Sequence, residues 1–149
     1  MTRLIIAAVL GLAAALPAAA QFQRPEQAVR YRQAAMSLQN THLSRLYAMV
    51  NGRVPFDAKT ANDNIEVVAL MNRLPFVAFI EGTDKLPGTK ARPEVWTEKD
   101  KFAAAVTKSQ DEVVKLVAAG KTGNPDQIKT ATMAVVQTCD GCHDNFRAK

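Results

Sequence analysis

Two cysteines and a histidine near the C-terminus constrain this chain more than any other feature. The run Cys139-Asp140-Gly141-Cys142-His143 has the spacing Cys-x-x-Cys-His, which is the attachment pattern of c-type haem. On a helix these positions follow the i, i+3, i+4 rule, so both sulfurs and the imidazole project from one face. The pattern therefore predicts one haem c group, held covalently through Cys139 and Cys142, with His143 as an axial ligand of the iron.

Four other interpretations of the same residues stay open: a redox-active dithiol, a structural disulfide, half of a zinc site and a chance run. A zinc site needs a fourth ligand, but the sequence holds only one further histidine, His42, and no further cysteine. A thioredoxin-like dithiol lies between a strand and a helix, whereas the residues from Pro125 onward have a helical pattern. These observations favour haem attachment.

The first 20 residues have the parts of a secretory signal peptide. Residues 1–3 are a short basic start, residues 4–16 are apolar, and residues 17–20 contain an Ala-x-Ala cleavage site. The apolar stretch is too short to span a bilayer, and an uncleaved membrane anchor is the alternative interpretation. The pattern predicts export, cleavage after about Ala20, and a mature protein that is free of the membrane in a bacterial periplasm, where haem is joined to such motifs.

The remaining residues, 21–149, are enough for one domain with a real core. The full chain has a net charge of +5, and loss of the single charged residue of the signal, Arg3, lowers it to +4. The basic residues are scattered along the chain and form no block. This pattern suits an acidic encounter partner and argues against nucleic acid as a partner.

Turn residues divide the mature chain into four predicted helices. Pro75 should bend the second of them, and Thr97 and Asn124 are the predicted caps of the third and fourth. No segment shows the strict alternation of a half-buried strand, so an all-α, antiparallel four-helix bundle with covalently bound haem is the predicted fold. The helices are predicted at residues 25–50, 57–81, 97–120 and 125 onward, with a loop at 82–93.

The position of the haem motif limits how the iron is ligated. Only residues 144–149 follow His143, so no later loop can return a methionine to the iron. A sixth ligand must come from an upstream helix, or else the distal position of the iron stays open.

Five short strings occur in order along the mature chain. They are Gln21-Phe22-x-x-Pro25-Glu26, Tyr31-Arg32-Gln33, Leu74-Pro75-Phe76-x-Ala78-Phe79, Ala91-Arg92-Pro93-Glu94-Val95-Trp96 and Cys139-x-x-Cys142-His143-Asp144-x-x-Arg147. In this order they resemble the class II cytochromes c, and specifically the cytochrome c′ family, over the whole mature chain. The resemblance implies a four-helix bundle with one covalent haem and one histidine ligand, often a homodimer packed through its first two helices.

The resemblance also implies roles for residues outside the motif. It places Arg32 and Gln33 near the haem propionates, where a guanidinium pairs with a carboxylate; a plain surface arginine is the alternative. It places Phe76 and Phe79 in the distal wall, although aromatic residues at helical spacing are more often ordinary core. Arg147 matches a basic residue beside the axial histidine, where a cation should perturb the imidazole, and the alternative is a solvated residue at a frayed helix end.

Met36 separates two functions. The resemblance places it at the distal position, where cytochromes c′ have a bulky apolar residue and related low-spin proteins have a methionine ligand. With Met36 unbound, we expect five-coordinate, high-spin iron that binds NO and CO, transfers single electrons, or does both. With Met36 bound, we expect a pure electron carrier with an unidentified redox partner protein. The other strings favour the open site. The sequence near the motif has no evident acid–base pair or nucleophile, so we do not expect an enzyme.

His42 is the other conceivable ligand. It lies six residues beyond Met36, so on an ideal helix it points elsewhere, and a surface histidine is expected.

Overall fold

The computed structural model describes residues 21–149, so the predicted signal peptide and its cleavage site lie outside the described residues. Four long helices form an antiparallel bundle, in which the first and third each pack against the second and fourth. The predicted all-α four-helix bundle is therefore confirmed. The elements are α1 (Pro25–Val50), α2 (Ala58–Met71), a 3-10 turn (Pro75–Ala78), the short α3 (Glu94–Thr97), α4 (Lys99–Thr122) and α5 (Pro125–Phe146).

Local sequence explains the ends of α1 and the start of α5, which were predicted correctly. Pro25 is the first residue of α1 and needs no N–H partner there. The chain leaves α1 through Asn51 and Gly52, whose φ of 68° is left-handed. At α5 the side-chain oxygen of Asn124 accepts hydrogen bonds from the N–H groups of Asp126 and Gln127, at 3.0 and 3.1 Å.

The second helix ends ten residues earlier than predicted. It ends at Met71, and Pro75 starts a separate 3-10 turn instead of bending a continuous helix. Proline has no N–H for the helical ladder and disfavours helical backbone in the residue before it. At the other end, the Asp57 carboxylate accepts a 2.7 Å hydrogen bond from the Thr60 N–H and caps the helix.

The predicted third helix was wrong at both ends. Thr97 does not cap it; Thr97 closes α3, and the non-helical Glu98 (φ −118°, ψ 51°) separates α3 from α4. At the far end α4 continues past Gly120 and stops at Gly123, which has a left-handed φ of 64°. Gly120 serves helix packing instead, because a Cβ atom there would lie 2.9 Å from the Ile65 Cδ1 atom.

The bundle has a closed end and an open end. At the closed end, fully buried side chains from all four long helices form the apolar core: Leu46, Ile65, Val68, Leu116, Ile128 and Val135. The antiparallel order brings the first halves of α1 and α4 and the last halves of α2 and α5 to the other end, which surrounds the cavity described below. None of the helices within residues 21–149 is long and apolar enough to cross a membrane.

Candidate haem pocket

A cavity of about 840 Å³, called here the main cavity, opens at one end of the bundle. Its volume is in the range of protein pockets for small molecules and cofactors. The structure brings together all the residues that the sequence predicted for the site. The predicted residues that line this cavity are Arg32, Gln33, Met36, Phe76, Phe79, Cys139, Cys142, His143 and Arg147.

The last two turns of α5 carry the Cys-x-x-Cys-His motif into the main cavity. Cys139, Cys142 and His143 are all half-buried, and the two cysteines are free thiols, not a disulfide. Since the helix is continuous to Phe146, the three side chains share the face that the spacing predicted. Within residues 21–149, no three His, Cys, Asp or Glu side chains lie close enough together to hold a metal ion.

Burial controls the protonation of the motif. It raises the pKa of the Cys139 thiol to about 11, and Asp140 and Cys142 act in the same direction. Burial likewise raises the pKa of Cys142. It lowers the pKa of His143, and the positive charge of Arg147 lowers it further. At neutral pH the sulfurs are therefore protonated thiols, and the imidazole is neutral with a lone pair available to a metal.

Arg32 is a buried clamp rather than a surface residue. Only 3% of it is exposed, although its guanidinium carries a charge and forms no ion pair with a carboxylate within the described residues. The guanidinium donates to the carbonyl oxygens of Ala78 and Thr83 at 3.0 and 3.2 Å, and to the hydroxyls of Thr83 and Thr89, both at 2.8 Å. It also lies 4.5 Å from the centre of the Phe79 ring. Both of its terminal nitrogens thus hold the 78–89 segment against α1.

Gln33 holds the same segment from the next position of α1. Its side-chain nitrogen donates to the carbonyl oxygen of Gly88 at 2.8 Å. Gly88 has a left-handed φ of 81°, which a glycine adopts at little cost. Arg32 and Gln33 therefore shape one wall of the cavity through the loop they bind.

Arg147 is not at a frayed helix end. It is exposed, but its N–H donates to the carbonyl oxygen of His143 at 3.0 Å, and its backbone forms an antiparallel bridge with Ala91. The neighbouring Ala148 N–H bonds to the Lys90 carbonyl at 2.8 Å. These contacts tie the end of α5 to the loop and keep the Arg147 charge near the His143 imidazole.

Sequence reasoning missed several polar residues of the cavity wall. Asn72 and Ser109 are buried and joined by a 2.9 Å hydrogen bond, while the Asn72 side-chain oxygen has no partner in the described part of the chain. Tyr47, Arg53 and Lys90 also line the cavity. Polar residues on helices and loops ordinarily indicate a solvated face, so no signal in the sequence marked them. Phe102 and Val106 of α4 also line the cavity.

His42 does not line the main cavity, as its spacing from Met36 predicted. The expectation of a surface histidine was wrong, because the ring is half-buried between α1 and α2. Its Nδ1 atom lies 2.9 Å from the side-chain oxygen of Asn64. His42 therefore belongs to the packing of two helices.

A four-helix bundle with this motif at one end of a large cavity defines a c-type haem protein of the class II kind. The chain belongs to the cytochrome c′ family: the sequence model described as Cytochrome C′ matches residues 27–147. Proteins of this family carry covalently attached haem c, which is therefore the cofactor of this chain.

Similar proteins cover nearly all of the described residues. Cytochrome c′ of Rubrivivax gelatinosus is 48% identical over 129 residues, which are 87% of this chain and 100% of that protein. Cytochrome c′ of Alcaligenes xylosoxydans xylosoxydans is 40% identical over 129 residues, 87% of this chain and 99% of that protein.

Solved structures agree with these matches. The crystal structure of the Rubrivivax gelatinosus protein has a TM-score of 0.83 at 48% identity and covers 85% of this chain and 99% of its own. A nitric oxide complex of a leucine-to-alanine mutant of the Alcaligenes xylosoxidans protein has a TM-score of 0.80 at 39% identity, covering 86% and 98%. A carbon monoxide-bound variant of that protein also has a TM-score of 0.80 at 39% identity, covering 86% and 99%.

The residues present in the structure fit a covalent haem. Two free thiols and a neutral imidazole line the same cavity, and aromatic rings form part of its wall. Both terminal nitrogens of the buried Arg32 guanidinium donate hydrogen bonds to the 78–89 segment. Its Nε–H is therefore available to a haem carboxylate. The pairing of Arg32 with a propionate remains a prediction, whereas its bonds to the loop are observed.

Proposed function

We propose that this protein is an exported, periplasmic haem protein that binds NO and CO at five-coordinate, high-spin iron and exchanges single electrons. In this proposal residues 1–20 are the signal peptide and residues 21–149 the mature domain. One observation carries it: the attachment motif and Met36 line the same cavity. Met36 thus lies where it could bind the iron or leave the sixth position open. Binding by Met36 would make the protein a pure electron carrier, and an open position would let it bind gases.

The proposed roles follow from the positions in the cavity wall. Cys139 and Cys142 would hold the haem through thioether bonds, and the neutral imidazole of His143 would bind its iron. When bound, the haem supplies a coordination position for a small neutral molecule and a one-electron couple. Arg147 disfavours a protonated imidazole and keeps the His143 lone pair available. Met36 and Phe76 exclude water and leave an apolar space.

Two comparisons support this proposal. Two of the Alcaligenes xylosoxidans structures contain bound nitric oxide or carbon monoxide, and the proteins in them are 39% identical to this chain. Export is supported by the Rubrivivax gelatinosus match, since the whole of that protein aligns with 129 residues, the number that remains after residue 20.

A second function, a low-spin electron carrier, is favoured by the chemistry of Met36. The residue is half-buried in the wall of the main cavity, on the first helix, and its thioether is a good sixth ligand. Methionine is also an adaptable filler of apolar space, which agrees with the open-site function.

Visible spectra of the haem-loaded protein test the two functions. The dithionite-reduced protein is measured before and after addition of CO, together with the variant Met36→Leu, which conserves the volume and removes the thioether. We expect broad high-spin bands that sharpen with CO in both proteins. The electron carrier would be established instead by sharp bands that CO does not change in the parent protein, together with a high-spin, CO-sensitive spectrum in Met36→Leu.

We also propose a homodimer packed through α1 and α2. Exposed apolar side chains lie on both helices: Tyr31 and Leu38 are seven residues apart on one face of α1, and Leu70 on α2 is 57% exposed. Light scattering should give the mass of two mature chains. Leu38→Asp should halve that mass, whereas Val114→Asp, an exposed control on α4, should not change it. A monomeric parent protein would contradict the proposal.

A further inference from the structure

A second pocket, called here the outer pocket, lies against the main cavity. Its volume is about 460 Å³, and it is formed by the 3-10 turn, residues 79–81, α3 and the start of α4. Four apolar residues line both spaces: Phe76, Phe79, Val95 and Phe102. Their side chains therefore form the wall between the outer pocket and the main cavity.

The side-chain polar groups of the outer pocket already have partners. The indole N–H of Trp96 donates to the carbonyl oxygens of Phe79 and Ile80, at 3.2 and 3.3 Å. Lys99 and Glu81, which are both exposed at the rim, form an ion pair of 2.9 Å with each other. The remaining lining is aromatic or aliphatic. Such a space suits a small uncharged molecule better than an ion or a hydrogen-bonding ligand.

The rings of the wall are not held equally. Phe79 lies 4.5 Å from the Arg32 guanidinium, and Phe102 lies 5.0 Å from Phe79 and 5.2 Å from Phe146. Phe76 meets its aromatic neighbours at centroid distances of 6.2 and 6.4 Å, and it stands on a short 3-10 turn. Phe76 is thus the phenylalanine of the wall with the widest ring–ring contacts, and its rotation would join the two spaces.

We propose that the outer pocket binds small neutral diatomic gases and passes them to the haem cavity beside the Phe76 ring. This inference rests on the proposed gas-binding function and adds the path by which the gas arrives. NO and CO are small and nearly apolar, so they partition from water into such a lining. A path changes the rates of entry and exit together and leaves the equilibrium unchanged.

CO kinetics of the haem-loaded protein test the path. Ile80→Trp fills the outer pocket at a residue that does not line the main cavity. We expect the association and dissociation rate constants to fall together by roughly fivefold or more, with an unchanged Kd. Val77→Trp is the matched control, because Val77 lies three residues before Ile80 on the 3-10 turn, is 52% exposed and lines neither space. Its rates should equal those of the parent.

Other outcomes separate the path from the function. Parent rates in Ile80→Trp would overturn the path, and so would a change in Kd alone. A parent protein that ignores CO would overturn the gas-binding function itself. Two further measurements do not depend on the folding of Ile80→Trp. Phe76→Leu should raise both rate constants, and xenon applied under pressure to crystals of the parent should occupy the outer pocket; absence of xenon there would overturn the proposal.

Discussion

The two ends of the bundle are built from the same four helices but from different kinds of side chain. At the closed end, Leu46, Ile65 and Leu116 are fully buried against one another. At the cavity end most of the buried polar residues are found, and most of the apolar residues that line the cavity are only half-buried. Apolar burial at the closed end stabilises the fold, which leaves the cavity end free to present thiols, an imidazole and a guanidinium. The buried polar side chains at the cavity end are Arg32, Gln39, Asn72, Thr83, Ser109 and Thr138.

The largest expected effect is confined to the cavity end. In the double variant Cys139→Ala/Cys142→Ala no thioether can form, so we expect complete loss of covalent haem. Haem staining of denaturing gels measures this. Leu116→Ala, at the closed end, is the control and should keep its covalent haem. Retention of stain by the double variant would contradict the attachment roles of both cysteines.

Two truncations on α4 compare the ends directly. Leu116→Ala at the closed end should cost about 3 kcal/mol of unfolding free energy, because it leaves a cavity in a fully buried site. Val106→Ala, which borders the main cavity, should cost on the order of 1 kcal/mol, since its side chain is only half-buried. Urea denaturation gives both values. Equal costs would remove the energetic distinction between the ends.

The hydrogen bonds of Arg32 at the cavity end should contribute less to the free energy of unfolding than the side chains of the apolar core. Arg32→Gln leaves the carbonyl oxygens of Ala78 and Thr83 without their donor, and we expect a loss of about 2 kcal/mol. Arg30→Gln, at an exposed position of the same helix, should be neutral within about 0.5 kcal/mol. Hydrogen exchange should show faster exchange in the 78–89 segment of Arg32→Gln only; protection equal to the parent's would refute the clamp.

The smallest effects come from two glycines within helices, and their signs should differ. Gly120→Ala places a Cβ atom 2.9 Å from Ile65 at the closed end and should destabilise the protein by about 1 kcal/mol. Gly141→Ala, at the cavity end, meets no atom of the described chain within 4 Å and should stabilise α5 by about 0.5–1 kcal/mol. Thermal unfolding measures both, and the same sign in both variants would contradict this distinction.

The sequence was sufficient where a local signal decides the structure. Asn124 and Pro125 mark the start of α5, and the spacing of Cys139 and Cys142 puts their sulfurs on one face. It failed where a tertiary contact decides. Gly120 indicated a helix end, but it is a close packing point against Ile65, and such a partner is not visible in a local pattern.

The cavity residues show the same contrast between what sequence patterns indicate and what tertiary contacts decide. The predicted pocket residues came together because several short strings resemble one family, and this information is independent of local propensity. Arg32 lines the main cavity, but its burial and its bonds to Thr83 and Thr89 were not predicted. Those contacts join residues more than 50 positions apart, so no helical or turn pattern reports them. Asn72 and Ser109 were missed for the same reason.

The tie between the last residues and the 90–92 segment has a consequence for the order of folding. Ala148 bonds to Lys90 and Arg92 bonds to Phe146, so this closure joins segments more than 50 residues apart. These bonds involve the last residues of the chain, where Lys90 and Ala148 are exposed, so they are expected to form after the buried core. The face that carries the two thiols is then expected to stay accessible while the rest of the bundle assembles, which is the interval when a cofactor can be joined to it. Pulsed hydrogen exchange during refolding should find the Arg92 and Ala148 amides among the last to gain protection.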